Sequence, residues 1–182
     1  MPNEIVKKWF GAEFDRLHPL LQNLHTTGGR LTGDVKISYG KGLAGIIGAR
    51  LAKKMELPQE GVHLLVVSIS HDSDGLHWWR RFNDQTTVKS LFKPVGGIRK
   101  GYWLEKTGPL LMKLTVDVKN GGWHWRCLKF SFLGFTIPRW IMPGTNAYKV
   151  IENGMYRFHV EFSLPIIGSL FIYQGLLQSE SN

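Results

Sequence analysis

From Val62 onward the apolar residues recur with a period of two. Successive side chains on a strand point to opposite faces, so this period reads as half-buried strand. Leu111 to Lys119 sets Leu114, Val116 and Val118 against Lys113, Thr115, Asp117 and Lys119. Met155 to Leu164 sets Tyr156, Phe158, Val160, Phe162 and Leu164 against Arg157, His159, Glu161 and Ser163. The same reading covers Val62 to Ser70, Leu76 to Phe82, Thr86 to Phe92, Tyr102 to Lys106, Trp123 to Phe132, Ala147 to Glu152 and Ser169 to Leu177. Asp74-Gly75, Asn120-Gly121 and Asn153-Gly154 are hairpin turn pairs. No helical period intervenes after residue 61, which excludes a parallel βαβ sheet.

Helices are confined to the first third. Val6, Trp9, Phe10, Phe14 and Leu17 form one apolar stripe with Asn3 as a candidate cap, and His18-Pro19 interrupts it. Leu20, Leu21 and Leu24 follow in a short second helix that ends at Gly28-Gly29. Leu31 to Tyr39 is a strand, and Leu43 to Met55 is helical again. The expected fold is mostly β (α+β): a curled antiparallel sheet or barrel-like meander of about eight to nine strands with N-terminal helices. A run of strands that long curls or closes to hide its edges. At 182 residues, with no linker or repeat, the chain reads as a single domain over 1–182.

Composition narrows the function classes. The net charge of +9 favours acidic partners, but the basic residues are scattered, which argues against a nucleic-acid footprint. The single cysteine, Cys127, permits no internal disulfide, and Met1-Pro2-Asn3-Glu4 lacks a signal-peptide layout. A cytoplasmic protein is expected. Gly40-Lys41-Gly42-Leu43-Ala44-Gly45 matches the spacing of a dinucleotide fingerprint. The strand before it is half polar, however, and no βα units follow, so it reads as a glycine-softened turn into a helix. That helix is amphipathic and carries Arg50, Lys53 and Lys54 near its end. An anionic membrane surface is therefore a possible partner. Seven histidines form no zinc spacing, and no nucleophile motif surrounds Cys127. No metal and no cofactor are expected, and no residue is singled out as catalytic.

The segment Leu76-His77-Trp78-Trp79-Arg80-Arg81-Phe82 is the most unusual. On a strand, Trp78, Arg80 and Phe82 share one face and His77, Trp79 and Arg81 the other, so either Arg80 or Arg81 points inward, and Arg80 is the one expected to. An arginine among inward aromatics needs a carboxylate or a ligand anion. Glu105 is the carboxylate expected beside Arg80, on a neighbouring strand within hydrogen-bonding reach. His18 and Tyr173 complete the candidate polar set.

Those residues also carry a family resemblance. Phe14-Asp15-Arg16-Leu17-His18-Pro19, Trp78-Trp79-Arg80-Arg81-Phe82, Glu105 with Gly108-Pro109, Leu133-Gly134 with Ile137-Pro138, and Phe158 to Pro165 with Tyr173-Gln174-Gly175 appear in order. Together they resemble a bacterial family, domain of unknown function 4166, over about residues 12 to 178. The resemblance implies no known activity. It implies occurrence alone or fused behind saccharopine-dehydrogenase-like reductases. The reading that follows is a binding module for an apolar or amphipathic, lipid-like and anionic small molecule, with Arg80, Glu105, Trp78, Phe82, His18 and Tyr173 as ligand-binding residues. The alternatives are a metal-independent enzyme of isomerase or cyclase type, with Glu105 or His18 as base, and a docking module for a reductase or a membrane surface.

Overall fold

A computed structural model describes residues 4–83 and 86–180. The chain opens with α1 (Ile5–Phe10), a 3₁₀ segment (Gly11–Arg16) and α2 (Pro19–Thr27). Next come β1 (Gly29–Tyr39) and α3 (Gly42–Lys54). The strands β2 (Gly61–Asp72), β3 (Gly75–Phe82), β4 (Thr86–Val95), β5 (Tyr102–Thr107), β6 (Leu110–Lys119) and β7 (Gly122–Phe132) follow. The last are β8 (Phe135–Thr136), β9 (Gly144–Glu152), β10 (Met155–Leu164) and β11 (Gly168–Glu180). Asn3 lies outside the described residues.

The strands form one sheet in the order β6-β5-β4-β3-β2-β1-β11-β10-β9-β7, and β7 pairs back onto β6. The result is a closed ten-stranded barrel, with β8 as a short extra strand on β7. Every pairing among the described residues is antiparallel. The expected meander is present, but the count of eight to nine falls short. The strand before α3 enters the same sheet, where β1 pairs with β2 on one side and β11 on the other. Closure leaves no free edge among the ten barrel strands, which removes the template for edge-to-edge pairing.

Turn chemistry sets the register. Asn120 and Gly121, and Asn153 and Gly154, all have positive φ, as a two-residue primed turn requires. Asp72 accepts backbone N–H bonds from Asp74 at 2.7 Å and Gly75 at 3.2 Å, which fixes the β2–β3 turn.

The two ends of the barrel differ. At one end α1, the 3₁₀ segment and α2 form a plug. Trp9 and Phe10 pack on Trp103 and Trp123, with ring centroids 5.4 and 4.5 Å apart. Trp9 Nε1 donates to the Val95 carbonyl, and the Trp9 carbonyl accepts from Ile98 N at 2.8 Å. Helix α1 stops at Gly11, whose φ is +55°. His18 accepts the Leu20 N–H at 3.2 Å as the N-cap of α2, with Pro19 in its first turn.

At the other end α3 lies against β11 and β1. A Cβ on Gly40 or Gly48 would meet the carbonyl oxygen of Ser169 or Leu170 at 1.9 Å. These glycines therefore serve close packing of helix against strand rather than a dinucleotide turn. After α3, Met55 and Leu57 are buried under the barrel mouth.

Candidate functional site

Inward residues of the barrel wall enclose a cavity of about 100 Å³. Most of its lining is apolar, including Leu65, Val67, Val88, Phe92, Met112 and Phe158. A few polar groups interrupt it: Arg80 from β3, Glu105 from β5, Lys149 from β9, Tyr156 from β10 and Tyr173 from β11.

Arg80 is the inward arginine of the pair, because it alternates with Trp79 and Arg81, both exposed. It does not touch Glu105 as expected. Strand β4 lies between β3 and β5, and Ser90 and Thr107 bridge the gap. The Arg80 guanidinium donates to Ser90 Oγ, Ser90 contacts Thr107 Oγ1, and Thr107 donates to Glu105 Oε1 at 3.1 Å. With Arg80 donating at one end and Glu105 accepting at the other, both hydroxyl protons point toward the carboxylate. Burial pushes the Glu105 carboxyl above its usual range, and the positive field of Arg80 pulls it partly back. Burial likewise raises the Tyr173 phenol, against the Arg80 guanidinium beside it.

Lys149 forms the second polar centre, which the sequence reading missed. It is 3% exposed. Its Nζ lies 4.2 Å from the Trp78 ring centroid, 4.0 Å from that of Trp123 and 5.4 Å from that of Trp125. It also donates to His25 Nε2 at 2.8 Å. His25 Nδ1 lies 2.7 Å from the Leu21 carbonyl, which can only accept, so the ring proton sits on Nδ1. Nε2 is left as the acceptor that Lys149 needs. Burial lowers the pKa of both groups; the Lys149 charge lowers His25 further, while Glu105 partly restores Lys149.

Three cavity-lining residues carry buried polar atoms without a hydrogen-bond partner: Trp78 at Nε1, Arg80 at Nε and Tyr156 at its hydroxyl. Buried polar atoms normally find one.

Residues 17–177 match the family described as domain of unknown function (DUF4166). The chain belongs to the DUF4166 family. No curated protein and no solved structure matches it. In this DUF4166 domain the six residues singled out from sequence separate. Trp78, Arg80, Glu105 and Tyr173 line the cavity. Phe82 is buried beside Tyr173, with ring centroids 5.8 Å apart, and supports the wall from within the core. His18 sits at the plugged end, where its backbone N–H donates to the Gly121 carbonyl at 2.9 Å. Capping α2 holds it away from the cavity, so it supplies no base there.

No group of three or more His, Cys, Asp or Glu among the described residues is placed to hold a metal ion. Burial pushes the Cys127 thiol to about 11, which keeps it a thiol at neutral pH. No helix among the described residues is long and apolar enough to cross a membrane.

Proposed function

We propose that the DUF4166 domain is a binding barrel for a small molecule with an apolar body and an anionic head. The observation that carries this reading is the set of three unpartnered donors, Trp78 Nε1, Arg80 Nε and the Tyr156 hydroxyl, on the wall of a mostly apolar cavity. The charge balance agrees. Arg80 is a permanent cation on this wall, while burial pushes the cavity's carboxyl, Glu105, toward its neutral form, so an incoming anion meets a positive field. The volume of about 100 Å³ suits a short body. A fatty-acid or isoprenoid tail enters only when side chains at the mouth, such as the flexible Met55, swing aside.

Calorimetric titration with hexanoate and decanoate, beside the matching alcohols, tests the proposal. The acids bind and the alcohols bind more weakly. Arg80→Met removes the preference and weakens acid binding roughly ten- to hundredfold, the worth of a charge-assisted hydrogen bond. Tyr156→Phe guards against misreading a folding defect. It deletes an unpaired hydroxyl, so the empty barrel melts no lower while acid affinity falls. Equal affinity for acid and alcohol, or no binding at millimolar concentration, overturns the proposal.

A second reading is favoured by one observation. Glu105 is shifted up and Lys149 down, and both border the same cavity. Opposed shifts of this kind bring a carboxyl and an amine toward one working pH, as acid–base chemistry demands. On that reading the domain is a metal-independent isomerase or cyclase, with Glu105 as the base and Arg80 as electrostatic stabiliser. Recovery of a bound ligand chemically unchanged after long incubation decides for binding.

A further inference from the structure

The α3 end of the barrel, opposite the helical plug, exposes apolar side chains that no core needs. Leu43 and Ile46 stand on one face of α3. Leu133, Phe135 and Trp140 lie between β7 and β9, and Ile166 lies in the β10–β11 turn. Phe135 is 77% exposed, Trp140 78%, and Ile166 wholly so. The barrel order β7-β9-β10-β11-β1 makes these segments neighbours on one arc of the rim. The Gly40 N–H bond to the Leu170 carbonyl at 2.9 Å ties the start of α3 to the foot of β11, beside Ile166.

Backbone geometry shows that this exposure is held at a cost. Leu133 has φ +50° and Ile166 has φ +70°. An aliphatic residue, above all a β-branched one, is disfavoured there. Both sit at exposed loop tips, where asparagine or glycine would relieve the strain. Strain held at an exposed position points to a use of the side chain outside the fold.

The same end of the barrel carries Lys41, Arg50, Lys53, Lys54 and Arg139, all exposed. None of the five is ion-paired among the described residues. Residues 40–60, 133–143 and 165–167 contain only Glu56 and Glu60 as acids. At the plugged end the turns are polar, with Ser73-Asp74, Asn120-Gly121 and Asn153-Gly154 at their tips.

We propose that this rim docks on an anionic lipid bilayer, with the α3 end of the barrel facing the membrane. Apolar knobs with tryptophan among them, ringed by lysine and arginine, match the chemistry of the bilayer surface: side chains enter the acyl boundary while cations meet phosphate. The knobs stand on three separate segments and project outward, so a fluid surface accommodates them where a rigid protein partner needs matching hollows.

Sedimentation of the full chain with vesicles tests it, using phosphatidylcholine alone and phosphatidylcholine mixed equally with phosphatidylglycerol. The protein sediments with the mixed vesicles and largely escapes the neutral ones, and added salt releases it. Phe135→Ser with Trp140→Ser lowers the partition at least roughly tenfold, and Lys53→Glu with Lys54→Glu does the same at about 1 kcal/mol per charge near the surface. Trp79→Ser with Leu128→Ser, exposed apolar residues midway along the barrel wall, leaves it unchanged. Arg80→Met also leaves it unchanged, which separates this proposal from the one for the cavity. Absence of binding to anionic vesicles, or equal losses in rim and wall variants, overturns it. So does a concentration-dependent dimer that disappears in the rim variants while vesicles remain unbound, since the rim is then a contact between copies.

Discussion

Lys149 shows how far single residues can be read. On a strand it shares a face with Ala147 and Ile151, so the alternation already pointed it inward. A lysine in a strand ordinarily marks the solvated side, and that habit hid it. The partner, His25, comes from α2, over a hundred residues earlier, and no local pattern links the two. Arg80 was legible for the opposite reason. The strand period required that Arg80 or Arg81 face inward, and the flanking Trp78 and Phe82 favoured Arg80. The bridge to Glu105 was not legible, because Ser90 and Thr107 are ordinary strand residues until a register joins them. Linkage gives Lys149 a testable signature. Its folded pKa lies below the free value of 10.5. Between those two values the unfolded chain holds a proton that the folded chain has released, so stability rises with pH across that window. Lys149→Met removes this dependence. The melting temperature of the wild type relative to Lys149→Met should therefore climb between neutral pH and pH 10. Each unit of depression is worth about 1.4 kcal/mol, or very roughly 3–5 °C for a domain of this size. A constant difference across that range contradicts the buried-amine assignment.

At the scale of elements, period and punctuation carried most of the information. The strands after Gly61 follow the alternation closely, and the Asn-Gly pairs stand where the chain reverses. The first helix stripe was correct in its buried face but not in its form. Val6, Trp9, Phe10, Phe14 and Leu17 are all buried, yet the helix yields to a 3₁₀ segment at Gly11. Gly11 has positive φ, and spacing alone does not reveal such a break. The glycines of α3 are the reverse case. Gly40, Gly42 and Gly45 match a nucleotide-binding spacing, yet close packing explains Gly40 and Gly45, as it does Gly48, and a positive φ explains Gly42. Gly48→Ala should lower stability by about 1–3 kcal/mol, the usual cost of overpacking, because its Cβ meets the Leu170 carbonyl. A chemical denaturation midpoint measures this. Gly42→Ala meets no atom within 4 Å and bears only the strain of its φ of +55°, so its loss should be about 1–2 kcal/mol. Equal stability of wild type and Gly48→Ala contradicts the close-packing account.

For the whole molecule, curling was foreseeable and the closing seam was not. A long antiparallel run must hide its edges, but which strands meet depends on pairings far apart in sequence. The first strand meets the last: Arg30 lies opposite Glu180, and Thr32 Oγ1 donates to Glu180 Oε1 at 2.6 Å. Loop-closure entropy must be spent before such a contact returns anything. Refolding should therefore be slow, on the order of milliseconds to seconds, as in other folds dominated by distant pairings. Stopped-flow fluorescence from the buried tryptophans reports it, and microsecond refolding excludes a seam formed at the rate-limiting step. The helical plug has a separate consequence. With one end stoppered by Trp9, Phe10 and the helices that carry them, a molecule bound against Arg80 as proposed would leave past Met55 and Leu57 at the α3 end, by the way it came. Two guests cannot pass in so narrow a vessel. Exchange is then strictly first out, then in: a competitor waits at the door, and raising its concentration does nothing to hasten the departure of the guest inside.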